Sequence, residues 1–277
     1  MGFFKRDFSK AGPGVEKDEP RKKGVRRFLE IIAREYRDLM KINLLFTLVL
    51  LPSLVLFILG LFSIFNLGLG MSVIATYPIG GALTASMFCI TKMLRDDPGF
   101  LWEDFKRKFR ENLRQAGLMG VLYSTFLFTQ FFMFWLPIIL GALIDPNEPV
   151  VSPTWTLIGI ILMILFNMFA PYVFLQFAYI KLNTFTIIKN SVLLALSNVG
   201  RSFMGAVTGL LPWVALIMFI EVAYALIPLI PLIFFALSWL LSLMWIWPVF
   251  DKHFSIEETI KKEQEKMLEG SSNIQNF

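Results

Sequence analysis

One cysteine and one histidine occur in the whole chain, and their scarcity removes several chemistries at once. Cys89 alone can form no internal disulfide, and it falls inside a long apolar stretch. His253 follows Asp251-Lys252 with no ligand cluster around it, so it is expected as an interfacial side chain and no metal site is expected. The HExxH, GxSxG and Walker-type phosphate-loop patterns are missing as well. Neither catalysis of the soluble type nor a resident cofactor is expected.

Charge is also withheld from most of the chain. No Asp, Glu, Lys or Arg occurs in 42–91, 115–144, 149–180, 202–220 or 222–250. A helix needs about 20 residues to cross about 30 Å of hydrocarbon, so the first stretch has room for two spans and a turn, and each of the others for one. Hydrophobic residues make up 56% of the chain and charged ones 17%, with a mean hydropathy of +0.64. These values exclude an ordinary soluble domain and point to an integral membrane protein. The basic and acidic residues before position 42 do not form a secretory signal, so the first span is expected to remain as an anchor.

What charge there is falls at the edges of the apolar stretches. Leu101, Phe105, Phe109 and Leu113 recur every fourth residue, while Lys106, Arg107, Lys108, Arg110 and Arg114 face elsewhere. This is the pattern of a helix lying on a membrane, and Asp97-Pro98 supplies a start signal for it. Phe28, Ile31, Ile32, Tyr36, Leu39 and Met40 alternate in the same way with Arg26, Arg27, Arg34, Arg37 and Lys41. A third, less charged stretch covers 184–201. The expected fold class is all-α and integral to the membrane, with six transmembrane helices forming three hairpins at about 42–91, 115–177 and 203–250. Each hairpin is preceded by a cytoplasmic amphipathic helix, at about 25–41, 98–115 and 184–201. An irregular arm, 1–24, precedes this domain, and a tail, 251–277, with a charged, solvated helix follows it. The outer turns are expected near Asn66-Leu67-Gly68-Leu69-Gly70, in the proline-rich stretch from Asp145 to Pro153, and near Pro228 and Pro231.

Lys and Arg number twelve before the first span, seven between spans two and three, three between four and five, and four after the sixth, which accounts for all 26. The positive-inside rule then places both termini in the cytoplasm. The basic residues Arg34, Arg37, Lys41, Lys106, Arg107, Lys108, Arg110 and Arg114 are expected to contact lipid or a partner at the inner surface. They follow membrane boundaries and accompany no nucleic-acid-binding motif, so nucleic acid is not an expected partner.

Polar residues within the apolar stretches carry two readings each. Thr76, Tyr77, Gln130, Asn167, Gln176 and Glu221 would line a shared polar cavity in a transporter. Glu221, an acid flanked by apolar residues, also fits the outer headgroup region, because twenty residues from Arg201 rise about 30 Å. Pro78, Gly80, Gly81 and Pro171 mark either helix breaks or sites of close helix packing.

The letters Met1-Gly2-Phe3-Phe4, then Gly12-Pro13-Gly14-Val15-Glu16-Lys17 and Pro20 before a basic cluster, resemble the start of the YesL-type membrane proteins of Gram-positive bacteria, a domain of unknown function. The resemblance extends to Asn43, to 76–82, and to Phe100-Leu101-Trp102 with Phe105, Phe109 and Asn112. It implies a multi-spanning plasma-membrane protein whose genes commonly neighbour carbohydrate uptake and polysaccharide breakdown systems, and it implies no catalytic residue. On that basis the expected role is a non-enzymatic accessory or scaffold protein linked to carbohydrate uptake, with importer subunits as partners beside the lipid bilayer. The alternative is a small-solute transporter or channel.

Overall fold

The computed structural model describes residues 21–62, 67–97, 99–137, 152–218 and 233–274. All regular structure among them is helical. The elements are α1 (Gly24–Leu61), α2 (Gly68–Ile74), α3 (Tyr77–Arg95), α4 (Leu101–Gln130) running into a π-helical turn (Phe131–Trp135), α5 (Pro153–Tyr179), α6 (Thr184–Ser197), α7 (Val199–Met218), α8 (Phe235–Phe254) and α9 (Ile256–Ile274). Four helices are long and apolar enough to cross a membrane, or five if α2 and α3, bent by 41° relative to each other, form one broken span.

The centre of the bundle is α3. Every residue in it except Tyr77, Pro78 and Lys92 is buried, and it packs against α1, α4, α5 and α8. Its weakly polar residues suit that position: Thr84 and Thr91 return their hydroxyl hydrogens to carbonyls of their own helix, Gly80 and Phe88. On the far side, α6 and α7 pack chiefly on α5 and α8. Gln176 of α5 donates to Ser191 of α6 at 2.8 Å, and Tyr172 of α5 shares a 3.1 Å hydrogen bond with Ser202 of α7.

Small residues set the tightest contact, where α3 meets α4. A Cβ placed on Gly80 would lie 1.9 Å from the Ala116 carbonyl oxygen, and one on Gly120 would lie 2.3 Å from the Gly80 nitrogen. Gly81 faces Phe109 and Leu113, and the Tyr77 ring covers Gly117. Close packing therefore accounts for Gly80 and Gly81, and the break in the chain falls just before them, at Ala75 and Thr76. Pro78 occupies the first turn of α3, where a missing N–H costs nothing. Pro171 is buried within α5, which continues past it to Tyr179.

Several expected boundaries move. The amphipathic segments 25–41 and 98–115 are not separate helices lying flat. The first is the leading half of α1, which runs unbroken from Gly24 to Leu61, and the second is the leading part of α4. Gly117 follows the polar-to-apolar join in α4 and Asn43 the one in α1, but the Tyr77 ring covers Gly117 and Asn43 donates to the Leu39 carbonyl one turn back, so neither helix breaks there. Only the third, 184–201, contains a discrete helix, α6, which ends at Asn198. The Asp97-Pro98 start signal also fails, because α4 begins at Leu101 and Asp97 is drawn back to α3. Pro98 lies outside the described residues. The glycines expected as an outer turn open α2 instead, with Gly68 close against Leu56 and Gly60 of α1. Ser152 caps α5 by accepting from the Trp155 N–H, with Pro153 at the first helical position. Residues 138–151 and 219–232, which include the other two expected turns and Glu221, lie outside the described residues.

The glycine contact predicts an asymmetric response. Gly80→Ala should cost roughly 1–3 kcal/mol, since backbone rather than a flexible side chain blocks the new methyl group. Gly70→Ala, with nothing within 4 Å of the added atom, should leave stability unchanged or slightly raised. Thermal unfolding of the two variants in detergent, followed by size-exclusion profile, checks both.

Candidate functional site at the end of the central helix

The last turn of a helix leaves carbonyl groups without partners, and α3 ends where four arginines gather. Asp96 adopts a left-handed conformation, φ 61° and ψ 28°, that a short polar side chain tolerates better than most. The Asp97 N–H then bonds to the Lys92 carbonyl at 3.0 Å and the Asp96 N–H to Met93 at 3.3 Å, completing a Schellman turn without glycine. Side chains from outside α3 reach the same end. Arg34 donates to the carbonyl of Met93 at 3.3 Å, Arg27 to that of Leu94 at 2.9 Å and Arg21 to that of Arg95 at 2.9 Å. Cations are favoured here because the helix dipole makes its C-terminus negative.

Asp96 serves as the counter-charge to this group. Its carboxylate is 2.6 Å from Arg27, 2.6 Å from Arg34 and 3.4 Å from Arg21. Burial alone would raise the Asp96 carboxyl, but hydrogen bonds from Arg27 and Arg34 outweigh it and hold the group below the ordinary carboxylate range. A second carboxylate, Glu257 at the start of α9, pairs with Arg21 at 3.0 Å and accepts from the Trp247 indole N–H at 3.0 Å. Burial pushes Glu257 up as well, and the bonds from Trp247 and Arg21 bring it below its usual value. The tail helix, expected to be solvated, is therefore fastened at its first turn.

Beneath these pairs lies Arg95, whose side chain is 3% exposed. One guanidinium nitrogen reaches Asp97 at 2.9 Å. Its Nε and Nη1 have no hydrogen-bond partner among the described residues. The planar cation instead sits 5.4 Å from the Tyr179 ring centre and 5.2 Å from that of Trp247, and aromatic faces offset part of the cost of burying it. Tyr179 is held in turn by a 2.6 Å hydrogen bond with Thr91. One turn back, Lys92 pairs with Asp104 of α4 at 2.6 Å, and Arg107 takes the other carboxylate oxygen at 2.8 Å. Lys108 donates to the Ala178 carbonyl at 2.9 Å and lies 4.9 Å from the Phe88 ring centre.

The side chains grouped here as inner-surface contacts thus divide. Arg34 and Lys108 turn inward to α3 and α5, and Arg107, exposed, pairs with Asp104 one turn back on its own helix. Lys41 pairs with Asp38 on its own helix, and Arg37 stacks on Tyr36. Lys106, Arg110 and Arg114 are exposed and form no ion pair among the described residues. The described residues of the polar-cavity group do not hydrogen-bond to one another, and Glu221 lies outside the described residues. Thr76 donates to Val73, Tyr77 to the Arg114 carbonyl, Asn167 to Met163 and Gln176 to Ser191 and Ile187. Gln130 is buried, and its Oε1 has no hydrogen-bond partner among the described residues.

Sequence reasoning missed Arg21, Arg95, Asp96 and Glu257, and it read Arg27 only as part of a basic helix face and Asp97 as a helix start. Arg95, Asp96 and Asp97 stand side by side at the end of an uncharged stretch, as any solvated boundary would. Only the Asp96 position, just after the last apolar residues of a helix, hinted at a C-terminal cap. What this arrangement does chemically is cohesive: it joins the chain before α1, three bundle helices and the tail helix through one helix end.

Removing the counter-charge should be felt across the bundle. Asp96→Asn keeps tolerance of the left-handed conformation but leaves buried Arg27 with Glu30, 3.1 Å away, as its one remaining anion among the described residues, and should cost roughly 1–2 kcal/mol at neutral pH. Both Asp96 and Glu257 have depressed values when folded, so their contribution is full above the ordinary values of 3.8 and 4.5 and is lost as pH falls through the lower folded values. Melting temperature in detergent should stay level from pH 7 to about 5 and drop below about 4, and the drop should be smaller in an Asp96→Asn, Glu257→Gln variant.

No family model matches the chain, no curated protein matches its sequence, and no solved structure matches its fold.

Proposed function

We propose that this chain is a non-enzymatic accessory or scaffold protein of the bacterial plasma membrane, linked to carbohydrate uptake and related to the YesL-type proteins it resembles. In this reading α1, α2 with α3, α4, α5, α7 and α8 belong to six crossings in three hairpins, with both termini in the cytoplasm. The observation that carries the scaffold role is the use of polar side chains. Those at the end of α3 and between α5, α6 and α7 hold helices to one another, while Lys106, Arg110 and Arg114 are left facing outward for a partner or a lipid surface. The link to carbohydrate import rests on the resemblance, an argument by association.

The competing reading, a small-solute transporter or channel, requires Thr76, Tyr77, Gln130, Asn167, Gln176 and Glu221 to converge. Among the described ones, Thr76 and Asn167 are satisfied within a turn of their own chain, and Gln176 is committed to α6.

Two experiments test the proposal. A reporter fused after Glu148 should be active only outside the cell, and cytoplasmic activity would overturn the orientation. In-cell crosslinking of the tagged protein in its native host, grown on plant polysaccharide, should recover sugar-importer subunits at fixed stoichiometry. Recovery of the protein alone would favour an autonomous transporter.

A further inference from the structure

Three helices change surface character at one height above the end of α3. On α1, Arg27 marks that end through Leu94 and Asp96, and Lys41 stands fourteen residues on, about 21 Å along the axis. Beyond it the exposed residues are Leu44, Leu48, Leu51, Leu54, Val55 and Ile58. On α4, Asp104 lies beside Lys92, about 5 Å above the same end, and Arg114 is ten residues further, about 20 Å in all. Leu118 and Leu122 are the next large apolar residues exposed. On α5, Tyr179 lies beside Arg95, and the helix stays buried from Ala170 to Ala178. Its exposed large apolar residues begin at Leu165, about 21 Å up. From the first exposed leucines above that height, α1 continues about 27 Å from Leu44 to Phe62 and α4 about 29 Å from Leu118 to Pro137, close to the hydrocarbon thickness of a bilayer.

We propose that Lys41, Arg110 and Arg114 form a collar that binds the phosphates of anionic phospholipid headgroups, and that the hydrocarbon begins just above it. The buried section of α3 after Gly80 is then apolar because protein surrounds it, and it stands outside the lipid. Faces of α1 and α4 that carry their charged residues clad it to about 20 Å from its end, with Leu29, Tyr36 and Met40 of α1 and Trp102 of α4 exposed singly among the charges. Arg37, at about the height of Arg110, is turned onto Tyr36 of its own helix and is left out of the collar. The collar occupies the α1 and α4 side only. Across the bundle, α6 keeps Phe185, Leu193 and Leu196 exposed, so headgroups meet the molecule lower there, with α6 lying in the boundary. This inference rests on the membrane reading above but not on its orientation, since either leaflet can supply anionic headgroups.

The test uses the full chain in vesicles containing phosphatidylcholine and phosphatidylglycerol. Spin-labelled phosphatidylglycerol should associate with the protein in preference to spin-labelled phosphatidylcholine at low salt. A Lys41→Gln, Arg110→Gln, Arg114→Gln variant should lose at least about half of that preference, and high salt should do the same to the wild type. Arg26→Gln, an exposed position on α1 about 22 Å below the collar, should leave it unchanged. An equal preference in the triple variant, or an equal loss from Arg26→Gln alone, overturns the collar. In a Cys89→Ala background, a membrane-impermeant maleimide on opened vesicles should label Lys106→Cys and Arg110→Cys and spare Leu118→Cys and Leu122→Cys. Protection of the first pair as complete as that of the second overturns the boundary. A failed Glu148 reporter would reverse the topology and leave both of these results standing.

Discussion

The carbonyl end of α3 is the constraint on which the rest of the bundle depends. A helix buried on all sides cannot satisfy its last carbonyls with water, and unmet groups there would cost several kcal/mol together. Arginines brought by the chain before α1 and by α1 itself meet three of them, and Asp96 balances the charge they bring. Because those arginines belong to other elements, capping one helix also orders its neighbours. Arg21 is exposed enough that its pairs contribute little on their own, while Arg27, with a side chain 9% exposed, is held by Asp96 and Glu30 together.

Above this end the cohesive force changes kind. Gly80 against Ala116 and Gly120 lets two backbones approach to within the space of a missing methyl group, which gains dispersion energy where the hydrophobic effect between lipid-bathed helices is weak. Rings add to it where helices diverge, as in the stacked Phe57 and Phe128 of α1 and α4 and the Phe134–Trp155 pair that joins the π-helical turn to α5. The Trp155 indole also donates to the Met133 carbonyl, a group that a π-turn leaves poorly served by its own helix.

The three segments that looked alike along the chain are used in different ways. The leading halves of α1 and α4 stand along α3 and continue into apolar helix, while α6 ends at Asn198 and lies against α5. Asn43, which belonged to the YesL-type resemblance, is fully buried and accepts the Ala236 N–H at 2.8 Å while donating to Leu39. A single polar residue on α1 thus fixes where α8 begins to pack, a task with no signature in the local sequence.

Composition and charge spacing determined by themselves that the chain is helical and rich in membrane-crossing segments, because uninterrupted apolar length and the period of an amphipathic face are local properties. They also marked Gly80 and Gly81 as points of close packing or breakage. The choice between those two readings was made by α4, whose Ala116 and Gly120 happen to face them. Likewise, Arg95, Asp96 and Asp97 were legible only as charges at a boundary. Their pairing with Arg21, Arg27, Arg34 and Glu257 joins residues up to 236 positions apart, and the partners of a buried charge are set by which helix ends meet, which no local pattern records. Tertiary structure also separated two causes of apolarity that look identical in sequence: α1 beyond Lys41 exposes its leucines, whereas α3 buries its apolar residues against other helices.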